Sequence, residues 1–320
     1  MLTVVLALLA AAGYSGSDYS GGLAARGANV VRVTFVAEVI SCLLILAALP
    51  FVSRQGPSLP ALAWGAAAGV SGTDAAMALY LGFRYAAFSV VSSVSAVGSA
   101  AFSVVAGLLL GERPGPAALA GIALALPAIA AVSLNTGQST AADNSSTPDN
   151  PSATGGSGTS GDPSADNSGT PSTAGRHATG QHAAGVVCGV IAGAGFGLFF
   201  LGLNQAGSAS DLWPLASAAA AGVSVVFCVA VAMRQARLPS GGSLRLALLS
   251  GVASAGGSYA FFLATHRGLL AVTAVITSLY PAGTIVLARL LLSERLTRVR
   301  IAGLGLAAVS IGLIAGASTH

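Results

Sequence analysis

Long apolar runs alternate with short polar gaps along this chain. Ten runs stand out, at about 2–25, 29–52, 61–84, 86–110, 116–134, 183–206, 211–233, 243–265, 269–292 and 298–316. Most are at least 18 residues long. At about 1.5 Å per residue that is close to what a helix needs to cross the roughly 30 Å hydrocarbon layer of a bilayer. The pattern predicts an all-α polytopic membrane protein with ten transmembrane helices. The first run, MLTVVLALLAAAG, has no arginine before it, and apolar character continues past its small residues, so it reads as a retained span rather than a leader. Asn135 to His182 is rich in Ser, Thr, Gly, Asp, Asn and Pro, with almost nothing to bury, and predicts a disordered linker. The division is therefore a five-helix unit over 1–134, the linker over 135–182 and a second five-helix unit over 183–320.

Composition agrees with the pattern. Of 320 residues 54% are hydrophobic and 8% charged, against about 25% charged in ordinary soluble domains, and the mean hydropathy is +0.80. The 14 basic residues are all arginines, and the net charge of +4 is spread over short loops. Nothing in that distribution forms a nucleic-acid-binding stripe. Cys42, Cys188 and Cys228 all fall inside apolar runs without metal-ligand spacing and read as small buried hydrophobes, so no metal or cofactor is expected.

The hexapeptides LLLGER, ending at Arg113, and LLLSER, ending at Arg295, are one instance of a longer internal repeat. A shift of 182 residues aligns Gly69-Val70 with Gly251-Val252, Ala78 with Ala260, Leu81 with Leu263, Val90 with Val272, Glu112-Arg113 with Glu294-Arg295 and Ala120-Gly121 with Ala302-Gly303, without a gap. Five spans per repeat is an odd number, so the two copies enter the membrane from opposite sides. Inverted repeats are a common architecture of secondary transporters, with the substrate site near the midplane. Loops carrying Arg26, Arg84, Arg234, Arg237, Arg245, Arg295, Arg298 and Arg300 lie on one side, and those carrying Arg54, Arg113 and Arg267 on the other. The excess places the first set and the linker in the cytoplasm and both termini outside.

Three acids lie well inside the spans: Asp18, Glu38 and Asp74. A charge at a helix centre costs about 2.5 to 3.5 kcal/mol on insertion scales, so each is expected to face the bundle interior, with Asp74 and Glu38 ranked above Asp18. Such a carboxylate can exchange protons with the solution or pair with a solute amine; a local ion pair with Arg32 or a hydrogen bond is the competing structural role. Their counterparts at the repeat offset are Phe200, Ala220 and Gly256, so the acidity belongs to one half. Tyr14, Tyr80, Tyr259 and Tyr280 have the shape to line a cavity for an amphipathic solute, though packing is the commoner role. Glu112 and Glu294 close the fourth and ninth helices just before the next begins. There a carboxylate favours the positive end of the following helix, while Arg113 and Arg295 anchor at the headgroups. Trp64 and Trp213, near helix starts, read as interface anchors.

The run from Tyr259 to Gly316, with its basic turn at His266-Arg267, Leu279-Tyr280-Pro281, the leucines, Glu294 and a glycine-bearing last helix, resembles the EamA-like group of the drug/metabolite transporter superfamily. The first half departs from it, with Ser99 where the second has Pro281, and with Pro114 and Pro116 after Glu112. The resemblance implies a plasma-membrane exporter of small metabolites or amino-acid-like solutes, with helices one to four and six to nine around a central cavity and five and ten outside it. Its partners would be the solute, possible protons, lipids and a possible second copy of the chain. Two other classes compete. Gly13-Tyr14-Ser15-Gly16 and Gly69-Val70-Ser71-Gly72 match the G-x-S-G motif of intramembrane serine proteases, whose chemistry needs a histidine within reach, and His266 is the sole candidate in a span. A non-transporting membrane scaffold would leave the buried acids without a purpose.

Overall fold

The computed structural model describes residues 2–86, 88–133, 173–207, 209–234, 239–281, 283 and 298–317. Those residues form helices and no strands. In chain order the helices are α1 (Leu2–Gly27), α2 (Val30–Val52), α3 (Leu59–Tyr85), α4 (Phe88–Leu109), α5 (Pro116–Ser133), α6 (Thr173–Gln205), α7 (Trp213–Ala232), α8 (Gly242–Thr265), α9 (Leu270–Thr277) and α10 (Arg298–Ala317). Six of them, α1, α2, α4, α6, α7 and α8, contain a stretch long and apolar enough to cross a membrane.

Local chemistry sets the helix ends. The Asn29 side chain accepts a hydrogen bond from the Val31 N–H at 2.9 Å and caps α2. Proline lies in the first turn of α3 and α7, where its missing N–H removes no helical bond. Pro281 marks a break: its nitrogen cannot donate to the Thr277 carbonyl, α9 ends at Thr277 with a turn at Ser278 and Leu279, and helical backbone resumes at Tyr280, where an unbroken helix over 269–292 is expected from sequence. Residues 284–297, with Arg289, Glu294 and Arg295, lie outside the described residues. The sixth helix begins at Thr173, about ten residues earlier than the composition implied, so the expected linker is helical at its C-terminal end; residues 134–172 lie outside the described residues.

Small residues bring the helices together. α1 crosses α8 antiparallel: Thr3 Oγ1 donates to the Arg267 carbonyl at 3.1 Å, Ser17 meets Ser250 further along, and Gly27 lies beside Ser243. Between these points a Cβ on Gly13 would sit 2.6 Å from the Gly257 Cα, so only glycine permits the approach. α3 crosses α6 in the same sense, with Ala68 against Gly202, Ala75 against Gly195 and Ala86 against Gly185. α5 and α10 pair with each other, joined by Ser310 Oγ donating to the Gly121 carbonyl at 2.8 Å. Around the outside, Leu43, Leu46, Phe227, Val231, Leu249 and Val252 are all well exposed, the apolar coat that lipid would cover.

Candidate functional site

Between α1, α2 and α3 on one side and α6, α7 and α8 on the other lies a cavity of about 80 Å³. Helical spacing delivers its lining. Tyr14, Ser17 and Asp18 share one face of α1; Thr34, Glu38, Ser41 and Ile45 share one face of α2; and Gly69, Gly72, Thr73, Ala76 and Tyr80 share one face of α3. The second half adds Phe196 and Phe199, Leu215, Ala218 and Ala219, and Ser254 and Ser258, a wall that is mostly apolar.

The polar groups are unevenly satisfied. Thr73 Oγ1 donates to Glu38 Oε1 at 3.0 Å. The carboxylate is backed by Gly222 of α7, where a Cβ would come within 3.0 Å of Glu38 Oε2 and 2.5 Å of Thr73 Oγ1. Tyr14 donates to Ser258 Oγ at 3.2 Å. The Tyr80 hydroxyl lies 3.3 Å from Ser250 Oγ, which donates to the Ser17 carbonyl at 3.0 Å, so hydroxyls tie α1, α3 and α8 together. Asp18, only 7% exposed, has no hydrogen-bond or ion-pair partner among the described residues. The buried Thr34 hydroxyl likewise has none.

Aromatic rings pack together toward one end of the bundle. Phe200 stacks on Phe261 with centroids 4.3 Å apart, and Tyr14 and Phe199 flank it at 6.1 and 5.7 Å. These phenylalanines lie within about two turns of the helix ends that lead into the next layer. There the loop after α2 meets the loop before α7. Asp211 Oδ2 accepts the N–H groups of Arg54 and Gln55, both at 2.8 Å, Trp213 Nε1 donates to the Gln55 carbonyl at 3.0 Å, and Ser210 Oγ donates to Ser58 Oγ at 2.9 Å. Asp211 reaches this position from the left-handed region, at φ 46°. The backbone N–H groups of Gln55 and Arg54 hold its carboxyl below the usual carboxylate range.

The structure sorts the sequence candidates. Asp18, Glu38, Tyr14 and Tyr80 come together on the cavity. Asp74 does not, although it was ranked with Glu38. It sits about 100° around α3 from Thr73 and is exposed on the outer face of the bundle. Tyr280 is buried away from the cavity, its hydroxyl 3.4 Å from the Ser92 carbonyl, and Tyr259 is half-buried outside the lining. Among the described residues α4 and α9 supply no lining, contrary to the expected eight-helix enclosure. Glu112 corrects another expectation. Its carboxylate caps α9 in the other half, not the following α5: the Leu270 N–H donates to Oε1 at 2.5 Å and the Ala271 N–H to Oε2 at 3.0 Å. Trp213 is a loop-to-loop donor as well as a residue at a helix start. As for the protease motif, Ser15 donates to the Ala11 and Tyr280 carbonyls and Ser71 to that of Ala68; neither bonds to His266, whose Nδ1 lies 2.7 Å from the Phe262 carbonyl. Thr34, Thr73, Gly222 and Asp211 were not singled out from sequence. Thr34 was within reach, since it lies four residues before Glu38 and so on its face.

Comparison with known proteins follows the same lines. Residues 184–316 match the EamA-like transporter family. No curated protein matches the chain. A solved structure described only as "Crystal structure of protein" superposes with a TM-score of 0.68 at 13% identity, covering 98% of this chain and 94% of that one, a likeness of fold alone. The chain is a multi-pass membrane protein whose residues 184–316 match the EamA-like transporter family, a family of the drug/metabolite transporter superfamily.

Proposed function

We propose that the chain is a secondary transporter that moves a small solute across the cell membrane by alternating access, in the direction of export. One observation carries the reading: a cavity with two carboxylates lies between helices of the two halves, with an aromatic cluster and a loop clamp toward one end of the bundle. The gapless 182-residue offset supports two inverted five-helix repeats, as does the parallel use of two antiparallel crossings, α1 with α8 and α3 with α6. With the arginine-rich loops in the cytoplasm, the clamped end faces outward. That is the state in which an exporter loads from inside. Asp18 and Glu38 are the groups that exchange protons or hold the solute. A single chain encloses the cavity, so a second copy is not required for transport.

Efflux from proteoliposomes loaded with a mixed pool of amines, amino acids and common metabolites, read by mass spectrometry with and without a pH gradient, tests this. Release of a defined solute, reduced by Asp18→Asn and by Glu38→Gln while Asp74→Asn stays active, is the expected result. Retention of every solute under both conditions would refute transport and favour the scaffold reading.

A further inference from the structure

We infer that the cavity recognises a small primary ammonium ion lacking a carboxylate, and selects against zwitterionic amino acids. This rests on the transporter reading of the same cavity and narrows the expected metabolite or amino-acid-like solute to one chemical class. The argument begins with what is left unpaired. Asp18 is more than nine-tenths buried, lines the cavity and has no partner among the described residues. Thr34 Oγ1, buried on the same lining, has none either. Glu38 has given one oxygen to Thr73, and its other oxygen has no described hydrogen bond. Buried acceptors without donors are unfavourable, so the occupant is a donor with several N–H groups. A primary ammonium has three, all charged.

Charge balance excludes the zwitterion. No Arg, Lys or His is among the lining residues, so a solute carboxylate would meet two acidic side chains and no cationic side chain. Beside the acids stand the aromatic side chains of Tyr14, Phe196 and Phe199, suited to a short apolar body. About 80 Å³ is room for roughly half a dozen water-sized groups, which limits that body to a few heavy atoms or one ring.

The test uses the full-length protein in nanodiscs and isothermal titration with benzylamine and 1,4-diaminobutane. Benzyl alcohol serves as the neutral isostere, tetramethylammonium as a cation without N–H donors, and phenylalanine as the zwitterion. Both amines bind, while benzyl alcohol, tetramethylammonium and phenylalanine bind at least about tenfold more weakly. Asp18→Asn weakens the amines about 10- to 100-fold, the scale of one charge-assisted hydrogen bond. Thr34→Val, a milder change kept in case the Asp18 variant fails to assemble, weakens them a few-fold. Phenylalanine binding as tightly as benzylamine, or unchanged amine affinity in both variants, overturns the inference. Amine binding without flux in proteoliposomes would refute transport and leave this assignment standing; flux of an amino acid but no amine would do the reverse.

Discussion

Glu112→Ala tests the join between the halves. The side chain accepts from two consecutive backbone N–H groups at the start of α9, Leu270 and Ala271, both fully buried. Hydrogen bonds to a charged group contribute about 1.5 to 3 kcal/mol each, and the carboxylate gains up to about 1 kcal/mol more from the helix dipole. Removing it leaves two buried donors unpaired. Two strong bonds to one group are not additive, so the expected loss is about 2 to 4 kcal/mol. Arg113→Ala, next in sequence and exposed, is the control, with a change within about 0.5 kcal/mol. The assay is reversible unfolding in mixed micelles with a denaturing detergent, followed by helical signal. Gly107→Ala supplies an independent arm. A Cβ there collides with Glu112 Oε2 and comes within 3.3 Å of the Ala271 Cβ, so it dislodges the cap. In the native background the variant destabilises, although alanine is a better helix former by about 1 kcal/mol. In the Glu112→Ala background most of that penalty disappears. A Glu112→Ala loss no larger than that of Arg113→Ala, or a Gly107→Ala effect independent of Glu112, would refute the cross-half cap.

Four further outcomes follow from the geometry. Asp211 has a lower pKa folded than unfolded, so its clamp is fully made above the ordinary carboxylate value. It is lost as pH falls through the depressed value, below about pH 4; Trp213 emission should change there and be pH-independent in Asp211→Ala. Gly222→Ala should displace Thr73 and Glu38 and cut flux roughly tenfold with the fold intact by gel filtration; unchanged flux would detach Glu38 from transport. Asp74→Leu should leave flux unchanged and raise stability by up to about 3 kcal/mol, and a loss of flux would return Asp74 to the site. Gly13→Leu should separate α1 from α8 and lower assembled yield, which a normal yield would contradict.

The fold was readable from sequence because the bilayer imposes one strong rule: a spanning backbone satisfies its own hydrogen bonds, so apolar runs become helices. Eight helices fall within about three residues of the apolar runs. The two departures have local causes: Pro281 interrupts α9, and α6 extends back through 173–182, where helix formation needs no apolar content. The site was half readable. Burial cost identifies Asp18, Glu38 and Asp74 as costly residues but cannot say which face each occupies, because every face of α3 is made of small and apolar residues and its amphipathic signal is faint. Thr73 rather than Asp74 faces inward, a difference of one residue and about 100°. The Glu112 cap was beyond the sequence for another reason, since its partners are backbone atoms 158 residues away.

Sequence likeness and site chemistry fall on different halves of this chain. The family match covers 184–316, whereas Asp18, Thr34, Glu38, Thr73 and Tyr80 precede it. At the 182-residue offset Asp18 corresponds to Phe200, which stacks in the aromatic cluster, and Glu38 corresponds to Ala220. The second half therefore provides an apolar wall and a seal, and the first provides charge. A family match confined to the wall does not reach the residues that would select a solute. The consequence can be tested by exchange. Phe200→Asp would place a third carboxylate opposite the first and open the aromatic seal, so it should raise leak of small cations through a protein that otherwise transports normally. Phe200→Leu, which keeps an apolar side chain and omits the charge, should not. Equal leak from both variants would mean that packing at Phe200, not the division of charge between the halves, controls the closed end.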